Sequence, residues 1–211
     1  ESRASGAYSP GEVLSDTGSV SSPGPLLSLL PALQHLCHHL KNRYTRTVMR
    51  SDYRRTLEIA ESRQGLYREL VRRLQRKAPK NLEDEIRALH EEAFSQIDCL
   101  DCGNCCRLVG PRLGDLDVSR LSKALSMKRV DFEESYLKVD EDGDRVFREH
   151  PCPLLLEDNR CLVYESRPKA CREYPHTDAK NVRGLLKLSL TNSRYCPVVA
   201  QVFEGLSERY L

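Results

Sequence analysis

Four cysteines fall within eight residues, as Cys99-x-x-Cys102-x-x-Cys105-Cys106. The Cys-x-x-Cys spacing lets two thiolates turn back onto one ion. Gly103 suits that turn, because a residue without Cβ takes positive φ freely. Three cysteines at this spacing also match half of an iron–sulfur ligand run. The adjacent pair Cys105-Cys106 is a poor chelate for a single ion, since neighbouring side chains diverge. Either one of the two points elsewhere, or more than one metal is held.

A second group follows. Cys152, Cys161 and Cys171 are separated by eight and nine residues, and Cys196 comes after a longer gap in Tyr195-Cys196-Pro197. Cys152 and Cys161 flank the turn Glu157-Asp158-Asn159-Arg160, which would bring them together across a hairpin. Any one cysteine could be an ordinary buried small hydrophobe, and Cys37, alone on a leucine stripe, is read that way. Eight of the nine cysteines lie from Cys99 to Cys196, which points instead to a thiolate site for zinc or iron. Arg107, Arg160, Arg167 and Arg172 stand near them in sequence and could offset the thiolate charge.

A disulfide framework is the competing chemistry, but such scaffolds are short, secreted and loop-rich. This chain has 211 residues, of which 30% are charged. Its apolar stretch Leu26–Leu40 is interrupted by Pro31 and His35 and preceded by one basic residue against three acidic ones, the reverse of an export signal. No window is long enough to span a membrane.

Other site chemistry is sparse. His176-Thr177-Asp178 and His150 could supply two histidines and a carboxylate to ferrous iron. His90 lies on an apolar stripe and reads as a core histidine. No phosphate loop, nucleophile elbow or dinucleotide fingerprint occurs. Net charge is +2, yet residues 41–80 hold thirteen Lys/Arg against four Asp/Glu. That segment could engage a protein or RNA partner. It equally suits the solvated face of a helix, and no aromatic stacking pattern accompanies it.

The elements that must position these residues follow from periodicity. Residues 1–25 are rich in Ser, Gly and Pro and read as a disordered tail. Residues 26–80 form a helical basic region: a leucine stripe from Leu26 to Leu40, then one long amphipathic helix from about Tyr44 to Ala78, stopped by Pro79. Residues 81–211 form the cysteine-cluster domain. Asn81 with Asp84 is expected to cap a helix in box-like fashion, and Ile86, Leu89, His90, Ala93 and Ile97 form its inner face. That helix leads into a cysteine loop at 99–106. Val118, Leu121, Leu125 and Met127 mark another helix, and Asp131 is expected to cap a short one through Leu137. Residues 138–148 read as a hairpin turning at Glu141-Asp142-Gly143-Asp144. Ser166 and Pro168 begin a short helix, residues 185–190 alternate weakly as a strand, and 198–210 close as a helix. The fold class is mainly α with small β-hairpin elements.

Three segments together resemble the YkgJ-type cysteine-cluster family, the CxxCxxCC zinc- or iron-chelating domain. They are Cys-Leu-Asp-Cys-Gly-Asn-Cys-Cys-Arg at 99–107, Cys-Pro-Leu-Leu at 152–155 and Cys-Leu-Val-Tyr-Glu-Ser-Arg-Pro-Lys-Ala-Cys-Arg-Glu-Tyr-Pro at 161–175. The resemblance covers about residues 80–205. It implies a cytoplasmic protein and carries metal roles onto Cys99, Cys102, Cys105, Cys106, Cys152, Cys161 and Cys171, with Cys196 as the eighth. Some relatives are labelled iron–sulfur oxidoreductases, and the flagellin lysine methylases share the cluster. The expected function is therefore an intracellular zinc- or iron-binding cysteine-cluster protein. The alternatives are an iron or iron–sulfur enzyme acting on protein or RNA, or a nucleic-acid-binding module built on the basic helix.

Overall fold

Apolar residues at spacings of three and four dominate the chain, and in the computed structural model, which describes residues 49–211, they are folded as helices. The expected tail at 1–25, the stripe Leu26–Leu40 with Cys37, and the helix start at Tyr44 lie outside the described residues.

In chain order the helices are α1 (Ser51–Ser62), α2 (Gln64–Arg76), α3 (Leu82–Gln96), α4 (Cys99–Cys102), α5 (Asn104–Leu108), α6 (Asp115–Ala124) and α7 (Arg129–Tyr136). Strands β1 (Leu137–Val139) and β2 (Arg145–Phe147) then form an antiparallel hairpin, with Leu137 opposite Phe147. A 3-10 turn (Tyr164–Ser166), α8 (Lys169–Glu173), α9 (Leu186–Asn192) and α10 (Pro197–Tyr210) follow. Among the described residues this hairpin is the only sheet, as expected of a mainly α chain.

Two hydrophobic cores organise these elements. In the first, α10 packs on α3, α1 and α2, and α9 packs on α2 and α10. Tyr67, Leu70, Leu74, Leu82, Ile86, Val199, Phe203 and Leu206 fill it, and Cys102 and Cys196 belong to it. Burial of each such aliphatic side chain contributes about 1.5–3 kcal/mol. Gly205 lets α10 approach α3 closely: a Cβ there would stand 2.5 Å from Leu89 Cδ2. The second core joins α6, α7 and the hairpin through Leu113, Val118, Leu121, Phe132, Leu137, Phe147, Leu154 and Val163. Cys152 and Cys161 pack against this one.

Several local expectations are corrected. The long helix begins only at Ser51, with Met49 and Arg50 outside it, ends at Arg76 and is split at Arg63 into α1 and α2. There the N–H of Arg63 is shared between the carbonyls of Ile59 and Ala60. Gln64 is drawn inward, where its Nε2 donates to the Ala60 carbonyl at 3.1 Å and to Ser193 Oγ at 3.0 Å. Gly65 adds low helix propensity at the same point. Asn81 takes the cap position of α3 without capping it; its Nδ2 donates to Glu85 Oε1 at 2.7 Å, and Asp84 pairs with Arg87. Lys128, not Asp131, precedes α7, and Asp131 lies in the first turn, where a carboxylate favours the helix dipole.

The expected loop at 99–106 is instead two short helical turns, α4 and α5, hinged at Gly103. The expected strand at 185–190 is helix α9, because Leu186 and Ser189, three apart, face the core. The 138–148 hairpin, the turn at 157–160 and the closing helix stand where their patterns put them.

Candidate metal centre

Each cysteine-bearing segment is held by a specific device. Asp98 caps α4 by accepting from the Leu100 N–H at 2.8 Å. Gly103, at φ 56°, ends α4 and begins α5, so the chain reverses between Cys102 and Cys105. A Cβ at Gly103 would collide with Arg107 Nη1 and come within 2.7 Å of Asn159 Oδ1. The turn is locked from both sides: Arg107 Nη1 donates to the Cys102 carbonyl at 3.1 Å, Arg107 Nη2 donates to Asn159 Oδ1, and Asn159 Nδ2 donates to the Leu100 carbonyl. Asn159, itself at φ 65°, thereby ties the turn at 157–160 to the first cysteine segment.

The second segment docks beside the first through its backbone, where the Cys152 N–H donates to the Cys106 carbonyl at 2.8 Å. Leu155 and Cys161 face each other as a bridge, so Cys152 and Cys161 do lie on the two arms of one turn. Cys171 is carried on α8. Asp117, buried in α6, accepts from the Lys169 N–H at 3.0 Å, from the Gly114 N–H at 3.1 Å and from Arg120 at 2.6 Å. Cys196 precedes α10, with Pro197 at the first helical position. Asn104 Nδ2 donates to the neighbouring Tyr195 carbonyl at 2.8 Å.

All eight described cysteines are free thiols, and no disulfide joins any of them. Cys105 Sγ and Cys106 Sγ stand 4.0 Å apart. Among the described residues, no three His, Cys, Asp or Glu side chains are drawn up at the spacing of a ready-made metal cage. The thiols nonetheless act on one another. Burial pushes Cys99 and Cys152 up to about 11 and Cys171 and Cys196 up to about 12, with neighbouring sulfurs adding to the rise. Cys99 is exposed as a residue while its thiol is turned inward. Cys106 is the exception. The Cys105 and Cys106 thiols share one proton contact and Arg107 lies nearby, so Cys106 is lowered and Cys105 raised.

The donor chemistry suits a metal. Backbone N–H groups near Cys102, Cys152, Cys161 and Cys196, from Asn104, Leu154, Val163 and Val199 respectively, favour the thiolate form against burial. The buried Tyr174 hydroxyl makes no well-formed hydrogen bond, and the group within its reach is the Cys196 thiol, with Cys105 and Cys102 nearby. An uncompensated buried hydroxyl costs about 1–3 kcal/mol, and a thiolate there would relieve it.

Of the four arginines expected to compensate charge, Arg107 and Arg167 act on the sulfurs. Arg160 instead pairs with Asp158, and Arg172 donates to the Arg167 carbonyl at 2.7 Å. Sequence reasoning missed Asn159, Asp117 and Tyr174. Asn159 carried a faint signal as the third residue of a four-residue turn, where left-handed backbone is common for Asn.

The remaining candidates fare differently. His90 Nδ1 is 2.7 Å from Thr177 Oγ1 and the ring packs on Phe94 at 4.6 Å, as suits a structural histidine. His176 lies edge-on to Tyr174 at 6.2 Å. On the basic helices, Arg50 pairs with Asp52 and Asp101, Arg63 with Glu204, and Arg72 and Arg76 with Glu69. Among the described residues no helix is long and apolar enough to cross a membrane.

No curated protein and no solved structure matches the chain. Residues 98–197, the span from the α4 cap to the start of α10, match the model of one family. That family is the CxxCxxCC family, described as a "putative zinc- or iron-chelating domain", and the match marks this part of the chain as similar to it.

Proposed function

We propose that this protein binds zinc or iron through cysteine thiolates, and that the bound metal ties its two hydrophobic cores together. The observation that supports the reading is eight free thiols, of which Cys102 and Cys196 lie in the first core and Cys152 and Cys161 pack against the second, with Cys106 bonded through its carbonyl to Cys152. The ligands would be Cys99, Cys102, Cys105, Cys106, Cys152, Cys161, Cys171 and Cys196. Four thiolates saturate zinc and leave no position open, which is the chemistry of a structural or storage site. Ligands must lose protons to bind, so metal uptake here releases protons and couples to folding.

A second reading has one observation in its favour. A cleft of ≈ 510 Å³, lined by Arg50, Tyr53, Phe94 and Cys99 among others, opens beside the exposed Cys99. An iron or iron–sulfur centre reached through it would suit an enzyme acting on a protein or RNA. The basic residues of α1 and α2 that lack a carboxylate partner would then face such a partner.

Anaerobic purification followed by elemental analysis and a visible spectrum tests both. Stoichiometric zinc in a colourless protein supports the structural reading. Brown protein that bleaches in air, with iron and acid-labile sulfide, supports the second. Absence of both metals from freshly purified, reconstituted protein refutes metal binding.

A further inference from the structure

We infer that α2 and the chain entering α9 together form one cationic surface, and that this surface binds the phosphate backbone of a nucleic-acid duplex. The inference narrows the protein-or-RNA partner of the second reading, and it is independent of which metal the cysteines hold.

The fold concentrates the charge. On α1 the exposed Arg54 and Arg55 are matched by the exposed Glu58 and Glu61, and Arg63, which follows, pairs with Glu204. From Gln64 to Lys80 the balance changes. Arg68, Arg72, Arg73, Arg76, Lys77 and Lys80 are all exposed, against one carboxylate, Glu69. A stretch distant in the chain joins them. Residues 179–190 hold Lys180, Arg183 and Lys187, all exposed, and no Asp or Glu. Two ties lay this stretch along α2. Gln64, at the start of α2, bonds to Ser193, just past the end of α9. Arg183 Nη2, ahead of α9, donates to the Gln75 carbonyl near the end of α2 at 3.1 Å. The two helices therefore pack antiparallel, and Arg183 and Lys187 stand beside the helix that carries the arginines. Past Lys80 the sign reverses: Glu83, Asp84 and Glu85 occupy the first turn of α3 and bound the surface.

Geometry and side-chain chemistry identify the partner. Arg68, Arg72 and Arg76 recur every four residues, so they rise along one face of α2 in steps of about 6 Å, a row about 12 Å long. A duplex presents a phosphate charge about every 1.7 Å of its axis, so the row meets several. Glu69 pairs with Arg72 at 2.6 Å and with Arg76 at 3.8 Å, but in the open, where an ion pair contributes about 0–1 kcal/mol. Arg68, Arg73, Lys77, Lys80, Lys180 and Lys187 make no ion pair among the described residues. Guanidinium forks fit phosphate oxygens two at a time. No Phe, Tyr or Trp is exposed on α2 or α9, so the surface offers no platform for unpaired bases and suits the backbone of a paired strand. A protein partner would be met by an apolar centre. The exposed large apolar residues here are Leu66 and Leu188, and Leu66, two positions before Arg68, leaves α2 on the other side from the row.

The test uses the full chain, with fluorescence anisotropy of a labelled short RNA duplex and of its DNA counterpart. Affinity for the duplex should fall on the order of 10³-fold between about 50 and 200 mM salt, as for about six phosphate contacts. Arg68→Ala/Arg72→Ala/Arg76→Ala should flatten the logarithmic salt slope by about three, and Lys180→Ala/Lys187→Ala by about two. The triple lysine replacement of the same arginines should restore the slope. Arg54→Ala/Arg55→Ala on α1 should leave it unchanged. Melting temperature and metal content, read on the same samples, should match the wild type throughout. Absence of salt-dependent duplex binding overturns the inference. So does a loss from the α1 pair as large as that from the α2 row, or no effect of the lysine pair at 180 and 187. Binding to polyglutamate, to single-stranded RNA or to vesicles of anionic phospholipid as tight as to the duplex overturns it as well. Each of these failures leaves metal content, and with it the metal-binding reading, untouched.

Discussion

Asp117 and the backbone N–H of Lys169 are 3.0 Å apart, although fifty-two residues separate them in the chain. Burial would raise the Asp117 carboxyl, but the N–H groups of Lys169 and Gly114 and the Arg120 guanidinium outweigh it and hold it below 3.8. The same carboxylate closes the first turn of α6 and anchors the start of α8, which carries Cys171. Asp117→Ala would leave buried donors unpaired, at a cost of about 2–4 kcal/mol. Because the folded carboxyl is the more acidic, its contribution is complete above the unfolded value near 3.8 and is lost as pH falls through the lower folded value. Chemical denaturation between pH 6 and pH 2.5 should show this acid-side loss in the wild type and lack its Asp117 component in the variant.

Gly103→Ala tests the hinge between α4 and α5. An L-residue in left-handed backbone costs about 1–2 kcal/mol, and the Cβ would also displace Arg107 and Asn159. Lower metal occupancy is expected along with lower stability, read by elemental analysis and thermal melting of the same sample. Unchanged occupancy would mean that the hinge does not set the geometry of the cysteines.

Asn159→Ala removes the side chain that receives Arg107 and donates to the Leu100 carbonyl. The 157–160 turn would lose its tie to the first cysteine segment. Zinc affinity, measured against a competing chelator, should fall about tenfold, in the range seen when supports behind metal ligands are removed. Asn159→Asp, which keeps an acceptor for Arg107, should restore part of the loss.

Gly205→Val serves as the contrasting change. Overpacking α10 against Leu89 costs about 1–3 kcal/mol. Because that contact is part of helix packing in the first core, metal stoichiometry should hold while the melting temperature drops. Loss of metal in step with stability would show that the first core and its thiols cannot be separated energetically.

Chelation provides the reverse experiment. Stripping metal at neutral pH should leave most thiols protonated, since burial holds Cys99, Cys152, Cys171 and Cys196 at about 11–12. Re-addition of zinc to weakly buffered protein should therefore acidify the solution, which a pH indicator reads directly. Uptake with no proton release would argue against thiolate ligation.

Much was determined by the sequence alone. Spacings of three and four placed α3, α6 and α10, because burying an apolar stripe requires a helix of that period. The turn at Gly143 and the one at 157–160 followed from residues that tolerate positive φ. The crowding of cysteines pointed to a shared chemistry for them, although Cys102 and Cys196 also belong to the first core. Tertiary structure decided what spacing cannot express. The break at Arg63 arises because Gln64 finds Ser193, a partner 129 positions away. Helix rather than strand at 186–192 depends on which face meets the first core. Above all, the adjacent Cys105 and Cys106 are equivalent on paper. How α5 is set depends on its separate attachments to Tyr195, through Asn104, and to Cys152, through the Cys106 carbonyl, contacts between residues distant in the chain that no local pattern encodes.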